Sequence, residues 1–205
     1  MPAKRFEMQV AAIAAAWIAM ICVAALFLEP ANPDEVARML EFERMAQPFA
    51  ARTVTFESSD GDRMATWRYR LFVPEAAAEG EKLPVVLYLH GAGERGDDNA
   101  RQVRSLPAYL AKDGSQNRHP CWIVALQCAR EDWWSREPEA ADDSPPDPGS
   151  VVMWILDDLP SEQPTADPAR VHLVGFSMGG NGVWSLAERF PEKFAAAVPV
   201  AGGET

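Results

Sequence analysis

Cysteine and histidine are scarce in this chain of 205 residues, with three of each. Three cysteines are too few for a disulfide scaffold. Cys121 and Cys128 stand seven residues apart on one apolar run. That spacing puts them on opposite faces and roughly 23 Å apart if extended, beyond disulfide reach. Both read as small buried residues. No Cys/His spacing of the zinc type and no internal repeat is visible. Basic residues are also in deficit: Lys and Arg number 19 against 30 Asp and Glu, a formal charge of -11. Such a chain lacks the basic face that nucleic acid requires, and its charge reads as a solvated surface. A hydrophobic content of 48% and a charged content of 24% are ordinary globular values, and the length suits one domain with a short appendage.

Long apolar runs are absent except for one, VAAIAAAWIAMICVAALFL, Val10 to Leu28, which carries no charge. Its length favours a retained membrane anchor over a signal-peptide core, although the small residues at Val23 and Ala25 fit a cut after Ala25. No lipobox surrounds Cys22. Lys4 and Arg5 precede the run, and Glu29, Asp34 and Glu35 follow it. The positive-inside rule then leaves the N-terminus in the cytoplasm and exports the rest, to the periplasm or the exterior. Residues 1–31 are read as signal anchor or signal peptide, and 32–51 as a helical spacer. The spacer helix runs from Asn32, a capping residue, to Met45, with Pro33 at the first position and Asp34 and Glu35 in the first turn. Val36, Met39 and Leu40 form its apolar stripe.

The catalytic domain is expected over 52–205. RTVTFES and RMATWRYRLFVP alternate in polarity and flank the turn signal SDGD, which predicts an antiparallel hairpin. LPVVLYLH (Leu83 to His90) and CWIVALQC (Cys121 to Cys128) are apolar enough to be strands buried on both faces. Residues 100–112 predict a helix. Glu131 to Ser150 is acidic and proline-rich and reads as a long surface loop. Ser150 is placed to cap a helix over Val151 to Leu159. VHLVGF and FAAAVPVAGG are further strands. Two meander strands followed by alternating strands and helices indicate a sheet antiparallel at its start and parallel afterwards.

The centre of this pattern is GFSMGG, Gly175 to Gly180, between the strand ending at Phe176 and the amphipathic run NGVWSLAERF. Gly175 and Gly179 flank Ser177 at G-x-S-x-G spacing. A sharp strand-to-helix turn leaves no room for β-carbons there, and it pushes the serine Oγ out above the sheet. The helix N-terminus adds free amides and a positive dipole end. The second motif is HGAGERG, His90 to Gly96, in the loop after LPVVLYLH. Acyl transfer needs two N–H donors aimed at an oxyanion, and the expected pair is the backbone amides of Met178 and Ala92. Gly91 and Gly93 let that loop approach a substrate. Glu94 and Arg95 read as a structural ion pair. Trp133 and Trp134 read as packing the long loop onto the domain.

These stretches, with DPARVHLVGFSMGGNGVWSLAERFPEKF, resemble the α/β-hydrolase superfamily. More narrowly they resemble secreted carboxylesterases, among them feruloyl esterases, polyhydroxybutyrate-depolymerase-like esterases and prolyl-oligopeptidase-type serine hydrolases. The resemblance covers residues 52–205. It implies a three-layer αβα fold with a mostly parallel sheet holding strands 1 to 6 of eight. It implies Ser177 as nucleophile and Ala92 and Met178 as oxyanion hole. The family's acid and histidine follow the nucleophile, whereas here the tail after Ser177 holds Glu192 and Glu204 and no histidine. His172 lies roughly 16 Å before Ser177 along its own strand, and His119 falls at the far end of the sheet. His90 suits holding its loop in shape. A serine without a base is a poor nucleophile, so the expectation is a fragment or truncated product with little turnover. Losing strands 7 and 8 would also leave the sixth as an open apolar edge prone to aggregation. The reading is thus a serine hydrolase of small-molecule carboxylic esters, its alternatives being a peptidase of the same fold or a non-catalytic binding module. No metal or organic cofactor is implied, and the oligomeric state is not specified.

Overall fold

The structure is a computed structural model that describes residues 32–57, 64–136 and 146–203. The chain divides into two units, Met1–Arg38 and Met39–Thr205. The apolar run 10–28 lies outside the described residues. Among the described residues no helix is long and apolar enough to cross a membrane.

Helix α1, Pro33–Ala46, starts where the sequence places it. The Asn32 side chain accepts the Asp34 N–H at 3.0 Å, and its carbonyl accepts the amides of Glu35 and Val36.

In the second unit the expected hairpin forms from β1 (Ala50–Glu57) and β2 (Met64–Phe72). It begins two residues before Arg52. Strands β3 (Leu83–Leu89), β4 (Trp122–Gln127), β5 (Ala166–Phe176) and β6 (Ala196–Val200) complete a six-stranded sheet of order β1-β2-β4-β3-β5-β6. The β2/β4 pair is antiparallel, and the β3/β4, β3/β5 and β5/β6 pairs are parallel. Every residue of β4 is buried, which is why that segment is a continuous apolar run. Its residues alternate between two cores. Trp122, Val124, Leu126 and Cys128 pack with α4 (Pro148–Glu162) and α5 (Met178–Arg189) on one face. Cys121, Ile123 and Ala125 pack with Ala46, Phe49, Phe72 and Val103 on the other. The two cysteines are free, buried and on opposite faces, as their spacing requires.

Two expectations are corrected. The helix over 100–112 gives way to a 3-10 turn, Arg101–Val103, and one short helix, α2 (Leu106–Leu110); a further short helix, α3 (Asp113–Gln116), follows it. Asp98 Oδ1 captures the amides of Ala100 and Arg101, Asn99 takes a positive φ of 53°, and Pro107 has no N–H to give a continuous helix. The cap of α4 is Asp147, not Ser150. Asp147 Oδ1 accepts the amides of Gly149 and Ser150 at 3.0 and 3.2 Å, and Pro148 occupies the first helical position. The segment read as a long surface loop is loop at both described ends up to Asp147, and it is packed onto the domain there: Trp134 is fully buried and Asp147 is 2% exposed.

Candidate active site

Strand β5 ends at Phe176 and α5 begins at Met178, so Ser177 is the whole of the turn between them. Its backbone has φ 54° and ψ −116°, a conformation that costs a residue with a β-carbon about 1–3 kcal/mol. Two hydrogen bonds hold it there. The Ser177 N–H donates to the Val200 carbonyl at the end of β6 at 2.8 Å, and the Ser177 carbonyl accepts the Asn181 amide at 3.1 Å. Ser177 is exposed, at the carboxyl edge of the parallel strands.

The flanking glycines are enforced by backbone. A β-carbon on Gly175 would overlap the Gly179 carbonyl, and one on Gly179 would overlap the Leu89 carbonyl. These contacts seat the first turn of α5 on the end of β3, whose Leu89 pairs with Gly175. The loops after β3 and β5 therefore leave the sheet side by side, one strand spacing apart, about 5 Å. They also touch, since a β-carbon on Gly91 would lie 3.5 Å from the Phe176 ring.

After β3 the chain forms a 3-10 turn, Ala92–Glu94. Ala92 is its first residue and is exposed, while Met178 is the first residue of α5. First-turn amides have no acceptor within their own helix. The structure thus brings Ser177 and both candidate oxyanion donors to one edge, on neighbouring loops. Gly93 is different from the other motif glycines. It has negative φ, and a β-carbon there would have an ordinary contact of 3.7 Å with the Arg104 guanidinium, so packing does not require glycine.

His90 braces the loop. It is fully buried. Its Nδ1–H donates to the Gly91 carbonyl at 2.7 Å, and its Nε2 accepts the Cys128 amide at 2.9 Å. Burial pulls its pKa down to about 4, so the ring is neutral at neutral pH with both nitrogens occupied. The Trp134 indole N–H donates to the His90 carbonyl at 2.9 Å, and the two rings meet edge to face. Trp134 therefore packs the loop as expected, whereas Trp133 is 47% exposed with the Arg95 guanidinium 4.8 Å from its ring centre.

The expected Glu94–Arg95 pair does not form. Glu94 pairs with Arg104, and Arg95 donates to the Ala92 carbonyl at 3.2 Å. In a 3-10 turn neighbouring side chains point apart, so the buried carboxylate finds its cation ten residues on. Sequence reasoning also missed Gln127. Its side-chain amide donates to the Glu94 carbonyl and to Asp98 Oδ1, both at 3.1 Å, and its oxygen accepts the Asn99 amide at 2.6 Å. The signal was a glutamine in an otherwise apolar strand end. Asp98 is pushed up by burial but held lower overall by the Arg101 and Ala100 amides, Gln127 and the Arg101 charge.

His119 is exposed just before β4. His172 lies on β5 opposite Val86 and Ala196, five residues before Ser177. Neither is brought to the serine edge. Glu192 is exposed in the 3-10 turn Pro191–Lys193, and Glu204 lies outside the described residues.

Fold and edge together define a mixed α/β protein with an exposed serine at a strained strand-to-helix corner. Over 141 residues the chain is 31% identical to "Putative esterase NocK" of Nocardia uniformis subsp. tsuyamanensis, a match covering 67% of this chain and 38% of that protein. A crystal structure described as a thermostable esterase superposes with a TM-score of 0.66 at 36% identity, over 79% of this chain and 43% of that one. The apoenzyme of the Staphylococcus aureus S-formylglutathione hydrolase FrmB superposes with a TM-score of 0.53 over 76% of this chain and 58% of that one; at 19% identity it speaks to the fold alone. No family model matches. The chain has the α/β-hydrolase fold, and its likenesses are to esterases and serine hydrolases. It spans about two fifths of the length of its Nocardia and thermostable-esterase relatives.

Proposed function

We propose that the chain carries the nucleophile-bearing part of a serine hydrolase acting on small-molecule carboxylic esters. Ser177 Oγ attacks the ester carbonyl carbon and loses its proton to a base. The amides of Ala92 and Met178 hold the oxyanion, and the alcohol leaves with a proton. Water then attacks the acyl enzyme, releasing the carboxylic acid and restoring the serine hydroxyl.

The observation that carries this reading is the backbone of Ser177. A residue with a β-carbon is held at φ 54° and ψ −116°, exposed, beside two first-turn amides. Strain of this kind persists where surrounding contacts over-determine it, and it favours a functional corner over an ordinary turn. The esterase descriptions of the Nocardia protein and the thermostable enzyme support an ester as the substrate.

The base is assigned to neither His90, whose nitrogens are both bonded, nor His172, which lies roughly 16 Å down β5. Turnover by residues 1–205 alone is accordingly slow. The basic pair before the apolar run 10–28 supports export of the domain, tethered or released.

The test is labelling with a fluorophosphonate probe. Residues 1–205 are compared with the same chain carrying any coding sequence downstream of Thr205. The expected result is rapid labelling of the longer version, labelling of 1–205 slower by about a hundredfold or more, and none in Ser177→Ala. Equal labelling of Ser177→Ala, or no labelling of either version, overturns the assignment.

A further inference from the structure

On the face of the sheet where Ala46, Phe49 and Val103 pack, away from α4 and α5, lies a groove of about 550 Å³. One wall is Arg44, Met45 and Pro48, from the end of α1; the other is Arg104, Tyr109 and Lys112. The chain has 30 acidic residues to 19 basic, yet this groove gathers three cations and a single carboxylate, Asp113. Its interior is not merely charged. Met45, Pro48 and the ring of Tyr109 give it an apolar body, and Tyr109 is 55% exposed with the Lys112 ammonium 5.7 Å from its centre. Arg104 faces two ways. It lines the groove, and it is also the partner of the buried Glu94 in the loop that carries Ala92.

We propose that this groove binds an organic anion, a carboxylate or phosphate on an apolar body, and that the bound anion competes with Glu94 for Arg104. Cations on a rim above an apolar floor select a ligand that is charged at one end and apolar at the other. The Arg104 guanidinium meets Glu94 through its Nη2 nitrogen, and because the fork is planar and rigid, an anion that draws it into the groove pulls Nη2 away from that carboxylate. Occupancy of the groove therefore loosens the loop beside the serine, and by linkage a loop without the Glu94 charge leaves the groove a better anion site.

Calorimetric titration of the full chain with phenyl phosphate, benzoate and neutral benzyl alcohol tests this. The two anions bind saturably, the alcohol binds at least about tenfold more weakly, and rising ionic strength weakens the anions. Phenyl phosphate tighter than benzoate identifies a phosphate ligand, and the reverse order a carboxylate. Arg44→Glu and Lys112→Glu, both on exposed side chains, each lower the affinity about tenfold without shifting the melting temperature, while Glu94→Gln raises it severalfold. Ser177→Ala binds the anions unchanged, which separates the groove from the proposed ester site. Equal binding of benzyl alcohol, indifference to both charge reversals, or loss of binding in Ser177→Ala overturns the site. An unchanged affinity in Glu94→Gln overturns the coupling.

Discussion

At the residue scale the organising contacts are made by groups with little freedom. Gly179 lies against the Leu89 carbonyl with no space for a methyl group. Gly179→Ala must separate α5 from β3, and it is expected to cost about 3 kcal/mol or more, read as a fall in the urea midpoint. His90 is a second such residue, and its effect depends on pH. Unfolded, the ring takes a proton near its ordinary value of 6.5; folded, burial delays this to about 4. The unfolded chain therefore binds more protons in between, and stability falls as pH drops from about 6.5 toward 4, by about 3 kcal/mol in all. Urea unfolding across that range checks it, and His90→Gln should flatten the slope. The corner at Ser177 and its flanking Gly175 and Gly179 were legible because their spacing has a steric cause. The partners of His90 and Glu94 were not: Cys128 and Arg104 are 38 and ten positions away, and only the folded sheet brings them near.

At the element scale, α4 depends on one side chain. Asp147 caps it through two amides and also accepts from the Arg189 guanidinium of α5 at 2.9 Å, tying the two helices of one layer together. Burial raises the Asp147 pKa, but the bonds from Arg189 and Ser150 and the Arg189 charge outweigh it and hold the carboxyl below its ordinary value. The stabilisation is thus complete above the ordinary carboxylate value of about 4, and it is lost as pH falls through the lower folded value. Asp147→Ala should cost about 1–3 kcal/mol at neutral pH by thermal melting, with a smaller loss below pH 4. Sequence periodicity locates this helix but assigns its cap to Ser150, whereas the structure caps it with Asp147. Both are capping residue types, and what separates them is Pro148, which starts the helix three residues sooner, and Arg189, which only the packing of α5 supplies. Likewise 100–112 has helical composition, and its break comes from Asp98 and Asn99 being bound by Gln127 across the strand end.

At the scale of the whole molecule, β6 is the sheet's last strand among the described residues, and all of it but the half-buried Pro199 is exposed, with Val198 and Val200 at 46% and 43%. An apolar strand with an unpaired edge is a template for association. Val198→Lys and Val200→Lys should raise the concentration at which the chain scatters light, with no loss of melting temperature; unchanged aggregation would locate the sticky surface elsewhere. The pairing sense, antiparallel at the start and parallel afterwards, was legible from the sequence because a hairpin followed by alternating strands and helices allows little else; the crossover that puts β4 between β2 and β3 was not. By itself the sequence determined that the chain builds a two-faced sheet, puts Ser177 at a strand-to-helix corner and follows β3 with a glycine-rich loop, since period, apolar content and glycine spacing are local constraints. Only the tertiary structure decided that His90 is a neutral brace, that Glu94 answers to Arg104, and that three cations of an acidic chain meet around one groove. Those outcomes depend on which distant residues share a few ångströms after folding, and no local pattern encodes that.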